Sequence, residues 1–191
     1  MHILLAALFF LRQPFWEVKT PEQWTDRQIE ELRQDSPWAQ KVGPAPEVLV
    51  WLATAAPIEE AEGEARLRTR NPLREPDPDY SYFLFRNRED HFVLAISLPS
   101  AAAWLKGLKK AGEEHRMLEE SEMLVGTKSY RMTGYFPPTD SDPVLRLVFP
   151  REVKLSDKFV LFRLYLPGMD FPDREIQFRV KELAYHGKLE M

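Results

Sequence analysis

The sequence predicts an α+β domain on a mainly antiparallel sheet with two to four helices. Two kinds of segment point there. Residues 174–183 alternate strictly, with Ile176, Phe178 and Val180 on one side and Gln177, Arg179 and Lys181 on the other, the pattern of a strand with one wet face. Other segments open with helix caps and carry apolar residues three or four apart, as an amphipathic helix requires. At 191 residues the chain suits one domain, and 44% hydrophobic residues can fill its core.

Along the chain, Ile3 to Leu11 is an unbroken apolar run. It is far shorter than the roughly 20 residues a bilayer-spanning helix needs, and has the length of a signal-peptide core. Residues 1–14 are therefore read as a signal peptide or an N-terminal apolar segment. Residues 15–43 form a tryptophan-bearing arm. Thr20-Pro21-Glu22-Gln23 and Thr25-Asp26-Arg27-Gln28 both carry helix-start signals, and the second predicts a short helix over 26–34 with Ile29 and Leu32 on one face. Trp16, Trp24 and Trp38 belong to this arm and must dock somewhere.

Gly43-Pro44-Ala45-Pro46 is a stiff boundary, after which 44–191 reads as a single α+β domain. Residues 47–54 predict a buried strand, 57–69 a surface helix and 71–79, with three prolines, a loop. Residues 80–85 and 92–98 predict a hairpin around the polar turn 87–90. Ser100 caps a predicted helix to about Ala111, with Trp104, Leu105 and Leu108 on one face and Gly112 at the C-terminal cap. Strands are predicted over 118–125, 144–149, 159–166 and 174–183. The order is β-α-β-β-α-β, a ferredoxin-like unit, followed by a three-strand meander. A β-sandwich with decorating helices is the alternative.

Composition excludes several functions. The chain has no cysteine, so it holds no disulfide, thiolate metal site or cysteine nucleophile. Its 26 Lys+Arg against 30 Asp+Glu give a net charge of −4, a poor basis for nucleic-acid binding. Glycine-rich phosphate loops and the Gly-x-Ser-x-Gly elbow are absent, so no cofactor is expected. His2, His91, His115 and His186 show no i, i+4 metal spacing, and no metal site is expected. His91 reads as part of a surface turn, and His115 as lying beyond a helix end, where the dipole would favour its charged form. Asp140 and Asp142 alternate as calcium ligands do, but the glycine and distal glutamate of a calcium loop are missing. Arg146, Arg151, Arg163, Arg174 and Arg179 could line one wet sheet face and bind an anion; pairing with acids across strands is their expected use.

Phe15-Trp16-Glu17, Glu22-Gln23-Trp24-Thr25-Asp26 and Asp35-Ser36-Pro37-Trp38-Ala39 resemble the opening of uncharacterised exported bacterial proteins related to the GWxTD-domain family. Phe149-Pro150-Arg151, Leu155-Ser156-Asp157-Lys158 and the closing Phe178–Leu183 and Gly187–Glu190 segments are similar as well. The literal Gly-Trp-x-Thr-Asp string is absent: Gln23 stands for the glycine and Thr25 directly follows Trp24. The resemblance implies export to the periplasm or medium and brings no catalytic residues with it. The expected function is a non-enzymatic binding or assembly module of the bacterial envelope, partnered by an envelope protein, with Trp16, Trp24 and Trp38 as an aromatic platform. The alternatives are a hydrolase built from dispersed carboxylates and His91, His115 or His186, and a cytoplasmic protein whose apolar start is core.

Overall fold

A computed structural model describes residues 13–44, 47–69, 77–139 and 142–191. The apolar run Ile3–Leu11, His2, Asp140 and parts of the two prolyl segments lie outside these residues. Within them the fold is α+β, with antiparallel sheets. No helix among the described residues is long and apolar enough to cross a membrane.

The arm opens with the single-turn helix α1 (Phe15–Val18) and a 3₁₀ turn at Pro21–Gln23. Helix α2 (Asp26–Gln34) follows at the predicted boundaries. The Thr25 hydroxyl accepts from the Gln28 amide at 3.2 Å, and the Gln28 side chain accepts from the Thr25 amide at 3.0 Å. This reciprocal pairing satisfies donors that a helix start otherwise leaves unmade. Ile29 and Leu32 are buried, as their spacing predicts.

Strand β1 (Ala39–Val42) pairs with β2 (Val48–Leu52), so the arm is part of the sheet. Next come α3 (Ala56–Thr69), α4 (Pro78–Asn87), β3 (His91–Ser97), α5 (Ala101–Leu108) and α6 (Glu113–Glu120). Then follow β4 (Glu122–Val125), β5 (Lys128–Arg131), β6 (Gly134–Phe136), β7 (Val144–Pro150), β8 (Phe159–Tyr165) and β9 (Asp173–Arg179). A 3₁₀ turn at Val180–Leu183 leads to the small hairpin β10 (Ala184–Tyr185) and β11 (Lys188–Leu189).

The main strands form two sheets, ordered β1-β2-β3-β7-β6 and β5-β4-β8-β9. Their inner faces share one core. Phe92 of β3 and Phe149 of β7 meet Phe162 of β8 at ring separations of 5.9 and 5.1 Å, and Phe162 meets Phe178 of β9 at 6.0 Å. Between β5 and β6 the chain passes from one sheet to the other, where the Met132 amide donates to Ser121 and the Thr133 amide to Val148. Near the opposite edges, the Gln40 side chain donates to the Gln177 carbonyl at 3.1 Å. The arrangement is a two-sheet core with helices around it. The β-α-β-β-α-β order is replaced, because two helices stand between β2 and β3 and two more between β3 and β4.

Three local expectations change. Residues 80–85 are helical, not a strand. Pro78 stands in the first turn of α4, and the Asp77 carboxylate accepts from the Asp79 amide at 2.8 Å. This Asp-Pro start signal outweighs the aromatic content of Tyr80–Phe85. The Leu118–Val125 strand shortens to β4, because α6 begins at Glu113 from Gly112, which stands at φ +84°. His115 thus lies in the first turn of α6 and not beyond a helix end. The last strand ends at Arg179, and its buried–exposed alternation holds throughout.

Candidate functional site

The central strand β3 turns Phe92, Leu94 and Ile96 into the shared core and smaller side chains, Val93, Ala95 and Ser97, to the other face. Register then decides what flanks the small ones. Ala95 lies between Trp51 of β2 and Arg146 of β7, and Ser97 between Leu49 and Val144. Large side chains on both neighbours and small ones on the middle strand leave a trough. It forms a cleft of about 470 Å³, with α3 and α4 contributing to its walls.

Helix α3 presents Ile58, Glu62 and Arg66, four residues apart, together with Glu59. Helix α4 presents Tyr80 and Leu84, also one turn apart. At the far wall Arg146 pairs with Asp142 at 2.7 Å and lies 4.6 Å above the ring centre of Tyr80. Burial pushes the Tyr80 hydroxyl up to about 12, so it stays neutral at ordinary pH.

The carboxylates of the cleft are all engaged. Glu62 stands one turn before Arg66 and is in place to pair with it, but Arg33 of α2 holds Glu62 at 2.7 Å. Burial works against the Arg33 charge; attraction from Glu62 and Glu30 outweighs it and raises the pKa. Glu59 is bound by Arg88 of the turn after α4. Burial raises the Glu59 carboxyl, and Arg88 only partly offsets that. Arg66, half-buried, has no acidic partner among the described residues. The cleft therefore combines an apolar floor with one uncompensated guanidinium. Each of its carboxylates has an arginine partner, and no base is hydrogen-bonded to Ser97 among the described residues.

The tryptophans of the arm lie elsewhere. Trp24 and Trp38 are 2% and 0% exposed and belong to the core. Trp16 is half-buried and packs its ring edge-to-face on Trp38 at 5.8 Å. Buried indoles have no free face to offer a ligand, so Trp24 and Trp38 act as packing. The histidines are not brought together. His91 opens β3 with its ring 5.9 Å from Phe83, His115 is on α6, and His186 sits in the β10–β11 turn, 3.4 Å from Glu17. Among the described residues no three His, Asp or Glu side chains gather as a metal ion would require.

The arginines separate as well. Arg163 meets both of its cross-strand neighbours, Glu175 at 2.9 Å and Glu122 at 3.7 Å, which is the expected pairing. Arg179 pairs with Glu182, while Arg151 donates to the carbonyls of Arg88, His91 and Met191. Arg174 faces inward. Sequence reasoning had Arg146 and Asp142 in view, in other roles, and missed Trp51, Tyr80 and Arg66. The available signal was the large–small alternation in β3, which becomes a cleft only once its neighbours are known. No protein-family model matches this chain, and no curated protein or solved structure does either.

Proposed function

We propose that this chain is a non-enzymatic binding module that holds a small anion with an aromatic or apolar body in the cleft beside α3. The observation that supports this is the imbalance there: among the described residues each carboxylate of the cleft is paired and Arg66 is not, and Trp51 and Leu49 form an apolar floor. A guanidinium beside an aromatic surface suits an anion whose body stacks while its charge pairs.

Anilinonaphthalene sulfonate carries both features and serves as the probe. Folded protein should enhance its fluorescence saturably. Arg66→Ala should weaken binding about ten- to hundredfold, the loss of one charge-assisted hydrogen bond. Arg66 makes no ion pair among the described residues, so the variant should fold normally. Equal affinity in the variant, or no saturable binding by the parent, overturns the reading.

The same reading puts the module in the bacterial envelope, with an envelope protein as partner. Its support is the apolar run Ile3–Leu11 and the resemblance of the Trp16, Trp24 and Trp38 segments to exported proteins. Cell fractionation with intact-mass measurement tests it. A chain starting near Phe15 and found outside the cytoplasm is expected; a cytosolic chain retaining Met1 discards the envelope assignment.

A further inference from the structure

Arg174 is the one charged residue buried in the core among the described residues, at 4% exposure. It occupies an inward position of β9, where Ile176 and Phe178 are apolar. Its Nη1 donates to the carbonyls of Phe171 and Asp173, and among the described residues its Nε has no partner and no carboxylate forms an ion pair with it. Gly43, at φ +90°, closes over the guanidinium: a Cβ there would come within 2.8 Å of Nε. Burial works against the Arg174 charge and lowers its pKa, and attraction from Asp173 offsets that only in part, so a further negative group beside the guanidinium would be stabilising.

Beside it is a hollow of about 180 Å³ between the start of α5 and the turn that follows β8. Arg174 stands in its wall, and Leu98, Met169 and Phe171 supply apolar surface. Ser100 and Ala103 line it too. The Ser100 hydroxyl caps α5 by accepting from the Ala103 amide at 3.1 Å, so the positive end of this helix borders the hollow. A buried unpaired guanidinium and a helix N-terminus thus converge on one small cavity.

We propose that this hollow binds a monocarboxylate on a short apolar body, its carboxylate pairing with Arg174 and its chain lying against Leu98, Met169 and Phe171. The planar guanidinium fork matches a carboxylate. The volume equals that of about six liquid waters, room for a body of a few carbons. Exposed Asp170 at the rim repels a second negative charge and selects a monoanion over a phosphate dianion. The site is separate from the α3 cleft, and either can fail without the other.

Butyrate, with n-butanol and inorganic phosphate as comparators, tests the proposal by titration of the folded full chain under NMR. Butyrate should shift the amides of Ser100, Ala103 and Phe171 saturably; butanol and phosphate should do so about tenfold more weakly or not at all. Arg174→Gln should abolish the shifts. Because that variant alters a buried residue, Ala103→Trp provides the second arm: position 103 is exposed, the new ring fills the hollow, and Arg174 is untouched. Loss of butyrate binding in Ala103→Trp, with an unchanged melting temperature, is expected. Absence of saturable shifts in the parent chain overturns the proposal, as do shifts that survive either substitution or are matched by butanol.

Discussion

Replacing Trp38 by alanine should remove a large part of the stability of this domain. The side chain is fully buried and ties three parts of the chain together. Its ring meets Trp16 of α1 at 5.8 Å and Tyr185 of β10 at 6.2 Å, and its Nε1 donates to the Glu190 carbonyl at 3.0 Å. Its own carbonyl accepts from the Leu52 amide at 2.9 Å, linking the segment before β1 to β2. Emptying a core site of this size costs about 3–5 kcal/mol. A domain has only about 5–15 kcal/mol in total. The urea midpoint should fall by about a fifth or more, and the closing hairpin should lose protection in hydrogen exchange. Trp38→Phe should be milder, at about 1–3 kcal/mol, because it keeps most of the packing while leaving the Glu190 carbonyl without its donor. A Trp38→Ala protein within 1 kcal/mol of the parent would show that the arm is not integral to the core.

Two glycine-to-alanine changes should move stability in opposite directions. Gly107 lies on the buried side of α5, and a Cβ built there overlaps the backbone of Pro167 and Gly168. A Cβ on Gly168, at φ +80°, would in return overlap the Ala103 carbonyl. Helix and turn touch backbone to backbone, and no flexible side chain lies between them to yield. Gly107→Ala should therefore cost about 2–3 kcal/mol despite the helix propensity alanine adds. That is a melting temperature lower by roughly 5–10 °C for a chain of this size. Gly63, within α3, has no atom within 4 Å of its would-be Cβ. Gly63→Ala should instead stabilise by about 0.5–1 kcal/mol. Calorimetry of the two variants side by side separates close packing from propensity. If Gly107→Ala melts as high as Gly63→Ala, the contact between α5 and the β8–β9 turn is looser than described.

Legibility in the sequence followed the range of the interactions involved. The start of α2 is decided within four residues, where Thr25 and Gln28 satisfy each other, and both boundaries of the helix were readable. The alternation of β9 needs only a wet side and a dry side, and it held residue by residue. Helix α4 departs from expectation for a local reason: the aromatic run Tyr80–Phe85 suggests a strand, while the deciding Asp77-Pro78 signal lies in a proline-rich stretch that reads as a loop. β1, β5 and β6 are three or four residues long and take their strand character from the partners they find.

The candidate sites lie further along the same scale. The apolar share, the absence of cysteine, the net charge and the helix caps are properties of composition and of neighbouring residues, and the sequence alone determined them, together with the α+β class. Only the tertiary structure decided that Trp24 and Trp38 are core, that the small outward side chains of β3 lie between Trp51 and Arg146, and that Arg33 takes the Glu62 carboxylate from Arg66. Arg174 shows the division in a single residue. Its place in the alternation could be counted from the sequence, but its want of an ion pair among the described residues could not, because a pair forms only where packing brings a carboxylate within reach of the guanidinium.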